Sequence, residues 1–148
     1  MQDYPHHYVV AATAKSDTYL TTSSPGLTDI EVAAPAEFGG PGDQWSPETL
    51  LVAAVADCFI LSFKAIARAS KVEWNSLSCD AEGILEKVDR VTQFTAFHLR
   101  ALLDIPEGTR PEKAERLMQM AEKSCLITNS LKADSHLEAD ISIAGKVA

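Results

Sequence analysis

Cysteine is scarce in this sequence, which excludes the disulfide-stabilised scaffold of a small secreted protein. Only three cysteines occur in 148 residues, and no two of them form a Cys-x-x-Cys pair. So few thiols at such spacing are typical of a protein kept in a reducing compartment. The first residues also lack the basic and long apolar stretches of a signal peptide. We therefore expect a cytoplasmic protein.

Positive charge is scarce too. The chain has 13 Lys and Arg against 21 Asp and Glu, a formal net charge of −8. Nucleic acids and anionic membrane surfaces repel such a chain, so we expect neither as a partner. Lys15 is the only Lys or Arg in the first 63 residues.

The familiar motifs of metal and phosphate sites are missing. The four histidines have no metal-ligand spacing to a cysteine or to one another, so we expect no metal site. The glycine-rich stretch at 39–42 lacks the Gly-Lys-Ser/Thr of a phosphate loop. Neither Gly-x-Ser-x-Gly nor His-Glu-x-x-His occurs.

What the chain does contain is a long apolar stretch, residues 46–70, which predicts a helix. Ser46 suits the N-cap and Pro47 the first helical position, and no Gly or Pro follows within the stretch. Apolar residues cover nearly every face of the first four turns, which is typical of a buried helix. Asp57 interrupts the apolar run, so we expect a core helix and not a membrane span.

The rest of the chain predicts strands and a second helix. Thr, Val and Tyr-rich runs predict a three-stranded antiparallel meander at 6–14, 17–24 and 28–34, before an irregular Gly/Pro loop at 35–45. Apolar and polar residues alternate along a predicted hairpin of two long strands, Val72–Val88 and Val91–Ile105. The inward parity of its first strand comprises Leu77, Cys79, Ala81 and Leu85.

Beyond the hairpin, a helix is predicted from residue 109 or 110 to about 123, a short helix from Leu126, and a strand at 136–143. This order predicts an α+β fold, one domain over residues 1–148, with antiparallel sheets packed against the long helix.

Two cysteines are candidates for chemistry. Cys58 lies in the middle of the long helix, where a cysteine is most often a small core residue. Cys79 is expected to be such a core residue, because its strand parity turns it inward. Cys125 would lie at the start of the short helix, where free N–H groups stabilise a thiolate.

Glu48 is the third candidate, although an acid in the first turn of a helix is also common for electrostatic reasons alone. Ten residues of helix separate it from Cys58, about 15 Å at 1.5 Å per residue. Glu48 can therefore reach Cys58 only in a second copy of the chain whose helix crosses the first. A site made of Glu48 and Cys58 requires a dimer.

Two segments together resemble the OsmC/Ohr family. In PAEFGGPGDQWSPETLLVAAVADCF, a glycine-rich loop leads to a Ser-Pro-Glu helix start, with a cysteine ten residues after the Glu. AEKSCLITNSL is similar to the family's second motif, Ala-x-x-x-Cys-Pro-[Val/Ile]-Ser-x-x-Leu. The resemblance covers essentially the whole chain.

The resemblance implies an intertwined homodimer with two long helices at its centre and active sites at the subunit interface. It also implies thiol-dependent reduction of organic hydroperoxides, without a metal or bound cofactor. On this reading Cys58 attacks the peroxide, Cys125 resolves the sulfenic acid as a disulfide, and Glu48 lies at the site. An external dithiol, a lipoyl group in the Ohr branch, then reduces the disulfide.

The sequence departs from the family at two positions. The family's peroxidases place an Arg from the N-terminal segment beside the reactive cysteine, whereas the matching stretch here, residues 18–21, has no cation. Without that cation, burial and Glu48 are expected to raise the pKa of Cys58, unless Lys15, or Lys64 or Arg68 of a neighbouring chain, supplies the charge. Leu126 also stands where the family has Pro.

Three functions remain open at this point. The chain is a hydroperoxide reductase, or a dimer of the same fold that binds a small apolar ligand or reduces another substrate, or a protein whose cysteines only pack. The match to both motifs argues against the third.

Overall fold

The computed structural model describes residues 1–147. Its elements in chain order are β1 (Ala11–Thr13), β2 (Leu20–Ser23), β3 (Ile30–Val32), α1 (Pro47–Ala69), β4 (Ser76–Val88), β5 (Val91–Ile105), α2 (Pro111–Ser124), α3 (Leu126–Asn129), β6 (Asp134–Ile143) and β7 (Lys146–Val147). The predicted α+β class is confirmed. The chain divides into two compact units, residues 1–50 and the residues from 51 onward, and the boundary lies within α1.

The first unit holds an antiparallel sheet in the order β1-β2-β3, as the meander pattern predicts. Its strands are shorter than the predicted runs. The loop before α1 was expected to be irregular, but it contains one turn of 3-10 helix at Ala36–Phe38.

The second unit holds a four-stranded sheet in the order β4-β5-β6-β7. The hairpin β4–β5 forms as predicted, with β5 at its predicted bounds. The expectation of antiparallel pairing throughout is wrong for β6, which runs parallel to β5 because α2 and α3 carry the chain back across the sheet. β7, which the sequence pattern did not predict, pairs with β6.

A β-bulge interrupts the hairpin near its turn. The register between β4 and β5 shifts between Ile84 and Leu85, where Thr95 of β5 has no partner. Beyond a bulge the side chains of the bulged strand, here β5, no longer keep the parity that its first part sets. Leu85 of β4, expected inward, is 36% exposed.

One stripe of α1 is buried against the sheet and α2. The residues of this stripe repeat every four positions, one helical turn apart, and are Val55, Phe59, Phe63 and Ala67. The helix lies close to β4 at Gly83, where the Cβ atom of any other residue would come 2.7 Å from Val52 Cγ2. A larger side chain at this glycine would push the helix from the sheet.

The opposite face of α1 is not buried within the chain, so the expectation of burial all round is wrong for a single copy. Leu61 is 62% exposed. By length and composition alone, α1 is also apolar enough to cross a membrane. Asp57 was expected to exclude a membrane span, but its presence is not enough to do so. The core helices of many soluble proteins meet the same criterion.

Candidate active site

Cys58 is held in place by a helix whose start is firmly capped. Ser46 is buried, and its Oγ accepts a hydrogen bond from the Thr49 N–H at 3.1 Å. In return, the Ser46 N–H donates to Thr49 Oγ1 at 2.9 Å. This reciprocal pair is a capping box with Thr in place of the usual Glu or Gln. Cys58 follows three turns after Pro47 and is half-buried beside the core residue Phe59.

Cys125 joins α2 to α3 and is fully buried, with 1% of its surface exposed. Its backbone is extended, with φ −63° and ψ 108°, which ends one helix and begins the next. Its carbonyl accepts hydrogen bonds from the Asn129 N–H at 3.0 Å and the Thr128 hydroxyl at 3.1 Å. The position of this thiol is therefore fixed by the backbone on both sides.

The structure brings Cys58 and Cys125 together, although 67 positions separate them in the sequence. The Cys125 thiol and the backbone at Ile127 and Leu126 are near enough to the Cys58 sulfur to lower its pKa by hydrogen bonding. A fourth neighbour, the Ser62 hydroxyl, lies one turn further along α1 at 4.0 Å. No disulfide links any of the three cysteines.

These donors decide the protonation of Cys58. Burial raises the pKa of the thiol, but the hydrogen bonds from Cys125, Ile127, Ser62 and Leu126 outweigh burial and leave the pKa below its ordinary value. Within a single chain, the pKa of Cys58 is therefore lowered without a cation, whereas the effect of Glu48 of a second copy stays a prediction. All four donors are neutral groups, and two of them are main-chain amides.

The pKa of Cys125 shifts upward, opposite to that of Cys58. Burial raises the pKa of the Cys125 thiol, and the adjacent Cys58 sulfur raises it further, while the hydroxyl and N–H of Thr128 only partly oppose this. The expectation that the start of the short helix would stabilise a Cys125 thiolate is therefore wrong. The N–H groups of Leu126 and Ile127 serve the neighbouring Cys58 sulfur instead.

Cys79 lies apart from this pair, on the inner face of β4. It packs against the core and is half-buried, in keeping with its strand parity. Burial, and after it the neighbouring Asp80 carboxylate, raises the pKa of Cys79 to about 11. This thiol is protonated and unreactive at neutral pH.

Glu48 lies in the first turn of α1. Its Oε2 atom is buried and has no hydrogen-bond partner among residues 1–147. A buried carboxylate oxygen without a partner is unusual and calls for a donor from outside the described chain. The placement of Glu48 beside Cys58 of a second copy remains a prediction.

A groove of the second unit lies away from the cysteines. It has a volume of about 820 Å³ at the end of α1 and the start of α2, and its lining is mostly charged. Its lining residues are Lys71, Val72, Glu73, Glu107, Gly108, Thr109, Arg110, Glu112, Lys113 and Arg116. No cysteine lines this groove.

Histidines contribute a feature that the sequence pattern missed. His98 and His136 are exposed, as predicted, but the parallel pairing of β5 with β6 stacks their rings at 5.3 Å. In the part of the chain that the structure describes, no three His, Cys, Asp or Glu side chains are grouped as a metal ion would require.

Comparison with known proteins assigns the chain to a family. The family model of OsmC-like proteins matches residues 40–140, which include Cys58 and Cys125. The chain belongs to the OsmC family.

Relatives and solved structures of the OsmC family span nearly the whole chain. The uncharacterized protein YmaD of Bacillus subtilis is 25% identical over 144 residues, covering 93% of this chain and 95% of YmaD. The OsmC-like protein of unknown function VCA0330 from Vibrio cholerae is 23% identical with a TM-score of 0.84, covering 91% of this chain and 99% of VCA0330. A Legionella pneumophila OsmC named as an organic hydroperoxide resistance protein is 23% identical with a TM-score of 0.73, covering 95% and 99% of the two chains.

Proposed function

We propose that this OsmC-family protein is a thiol-dependent peroxidase that reduces organic hydroperoxides in the cytoplasm. Cys58 is the thiolate that attacks the peroxide, and Cys125 is the resolving thiol. The family provides the precedent, since some of its members are named organic hydroperoxide resistance proteins.

One observation carries the proposal: the fold brings Cys58 and Cys125 together, and their pKa values shift in opposite directions, lowered by hydrogen bonding at Cys58 and raised by burial at Cys125. A thiolate is the nucleophile toward a peroxide, whereas a resolving thiol must stay intact until the first oxidation has occurred. The shifts favour a thiolate at Cys58 and a protonated thiol at Cys125 before any substrate binds.

The reaction consists of three balanced steps. The Cys58 thiolate attacks the terminal oxygen of the hydroperoxide, the O–O bond breaks, and the alkoxide takes a proton from solvent to become the alcohol. Cys58 is thereby oxidised to a sulfenic acid. The Cys125 sulfur then attacks the Cys58 sulfur, the S–O bond breaks, and the hydroxide leaves as water with the proton from Cys125. An external dithiol, of which a lipoyl group is an example, reduces the disulfide and becomes a disulfide itself.

We further propose that the protein acts as a homodimer. The uncovered apolar face of α1, on which Leu61 is 62% exposed, supports this because a second α1 would bury it. The unpartnered Oε2 of Glu48 supports it as well. Because α1 is one unbroken helix, Glu48 reaches Cys58 only between two copies.

A thiol count tests the peroxidase proposal. Cumene hydroperoxide is added to the reduced protein, and free thiols are titrated before and after. We expect the three thiols to fall to one. Cys58→Ser should abolish the loss, and the matched control Cys79→Ser should still lose two thiols. Survival of all three thiols in excess peroxide would contradict the proposal. Elution as a monomer from a sizing column would remove the role of Glu48.

A second function has two observations in its favour. An apolar cavity of about 220 Å³ lies beside β5 and the start of β6, and the cationic residue of the family's peroxidases is absent from this sequence. Its lining residues are Leu51, Val91, Gln93, Phe94, Phe97, Leu131, Lys132 and Ala133. A dimer that binds a small apolar ligand without turnover would keep all its thiols in the same experiment.

A further inference from the structure

We infer that His98 and His136 form a surface site for one divalent transition-metal ion of the class of Zn²⁺, Ni²⁺ and Cu²⁺. The site lies on the outer face of the four-stranded sheet, away from the core that holds the cysteines. It is independent of the proposed peroxidase activity.

Strand pairing brings the two imidazoles together. His98 of β5 lies directly beside His136 of β6 in the parallel register, and Glu82 of β4 lies on the other side of His98. The next residues along the two strands, Leu99 and Leu137, pack in the core, so both histidines point to the opposite face of the sheet. The spacing along the sequence predicted no metal site because 38 positions separate the two histidines. The register between the strands supplies the pairing that the spacing does not.

The separation of the two rings fits two ligands of one ion. The ring centroids of His98 and His136 are 5.3 Å apart, and the ring planes differ by 22°. A zinc ion bound at ~2.1 Å by an imidazole nitrogen lies roughly 3.2 Å from the ring centroid, so two imidazoles on a tetrahedral ion have centroids about 5.2 Å apart. The rings therefore need to turn but not to approach each other. Both rings are exposed and the outer torsion of a histidine is broad, so this turn meets little resistance.

The surrounding charges favour a cation. Five carboxylates and one guanidinium lie on the same outer face of β4, β5 and β6, at Asp80, Glu82, Arg100, Asp134, Glu138 and Asp140. The Arg100 Nε atom is 3.4 Å from Glu138 Oε2, so the carboxylate offsets its charge. A face with this excess of negative charge attracts divalent ions to the two imidazoles.

The donor set indicates which ions bind and how tightly. Imidazole nitrogens select late transition ions over Mg²⁺ and Ca²⁺, which prefer oxygen ligands. Among residues 1–147, no third His, Cys, Asp or Glu is grouped with the pair. Water, or Glu82 after a change of rotamer, completes the coordination, and the depression of about 240 Å³ that these residues line has room for it. With two fixed protein ligands, the site binds its ion reversibly and is not a structural zinc centre.

An NMR titration with zinc tests the inference. Zn²⁺ is added to the reduced protein at pH 7.5, and the ring protons of the four histidines are followed separately. We expect the His98 and His136 signals to shift together and to saturate at the same zinc concentration. In His98→Asn, the zinc concentration that half-shifts His136 should rise at least about tenfold, because two linked donors bind more tightly than either alone. His136→Asn should have the same effect on His98. Both side chains are exposed, so neither change costs the fold much.

The matched control removes the other two histidines, which are adjacent in the sequence but outside the sheet. His6→Asn combined with His7→Asn should leave the zinc midpoint of His98 and His136 unchanged. An unchanged His136 midpoint in His98→Asn would mean that each imidazole binds alone, and this would overturn the inference. Equal midpoints for all four histidines in the unmodified protein would show an adventitious ion only and would also overturn it. Because the signals are resolved by residue and no peroxide is used, neither zinc on the cysteines nor the thiol count decides the result.

Discussion

Cys58 on α1 and Cys79 on β4 are both half-buried thiols, and they differ in what surrounds them. Burial is the largest influence on the pKa of both and raises it in each case. At Cys58, four neutral donors reverse the effect, whereas at Cys79 the Asp80 carboxylate adds to it and brings the pKa to about 11. Burial alone therefore does not separate a reactive cysteine from a structural one. The donors that reach the sulfur do.

The largest expected effect is the difference in reactivity between these two thiols. The pKa of Cys79 is raised by burial to about 11, and donors hold that of Cys58 below 9.0, so the thiolate fractions at pH 7 differ at least about a hundredfold. The lower intrinsic nucleophilicity of the more acidic thiol offsets part of this, so we expect alkylation of Cys58 to be at least about tenfold faster.

Site-resolved iodoacetamide labelling of the reduced protein at pH 7 measures this ratio. Repeating it in 6 M guanidinium chloride is the control, because the two thiols should react at similar rates once their surroundings are lost. Equal rates in the folded protein would contradict the conclusion that the surroundings of Cys58 and Cys79 make the two thiols differ in reactivity.

The second prediction removes one donor from Cys58. Cys125→Ala deletes the thiol that donates to the Cys58 sulfur, so the pKa of Cys58 should rise by about one unit as that hydrogen bond is lost. The sign follows because a donor favours the charged form and its removal favours the neutral one. The alkylation midpoint of Cys58 against pH is the measurement.

Cys125→Ser is the matched variant for this test, since its hydroxyl can still donate. We expect its midpoint to lie closer to that of the unmodified protein than the midpoint of Cys125→Ala does. If the alanine variant leaves the midpoint where it was, Cys125 is not among the groups that hold the thiolate.

Local sequence patterns predict the elements well because the causes are local. The N-cap at Ser46 and the absence of Gly and Pro beyond Pro47 place α1 to within a residue, and alternation places β5 at its observed bounds. The bulge at Thr95 and the exposure of Leu85 leave no mark in an alternating pattern. The parallel partner of β5 depends on how α2 and α3 return the chain, which the strand itself does not encode.

The site was predictable only in part, because it too depends on contacts between residues that are far apart in the sequence. The sequence names Cys58 and Cys125, and the family resemblance pairs them. Two of the four groups that lower the pKa of Cys58 are main-chain groups 68 and 69 positions away, at Leu126 and Ile127, and any residue except proline carries a main-chain N–H. The one available signal was Leu126 in the place of a proline.

The smallest expected effect concerns Cys79 and the stability of the fold. Burial raises the pKa of Cys79 from 9.0 to about 11 in the folded protein. The folded state therefore favours the neutral thiol, and this contribution is fully present below pH 9 and is lost as the pH rises toward 11. Because Cys79 is only half-buried, solvent reduces the loss of folding stability to on the order of 1 kcal/mol.

Other groups also titrate in this range, so the informative quantity is the difference between the unmodified protein and Cys79→Ala, measured by urea unfolding at pH 8 and pH 10.5. We expect the unmodified protein to lose more stability than the variant over this interval. Equal losses would show that the Cys79 thiol ionises in the fold as readily as in the unfolded chain, and the contrast with Cys58 would then rest on Cys58 alone.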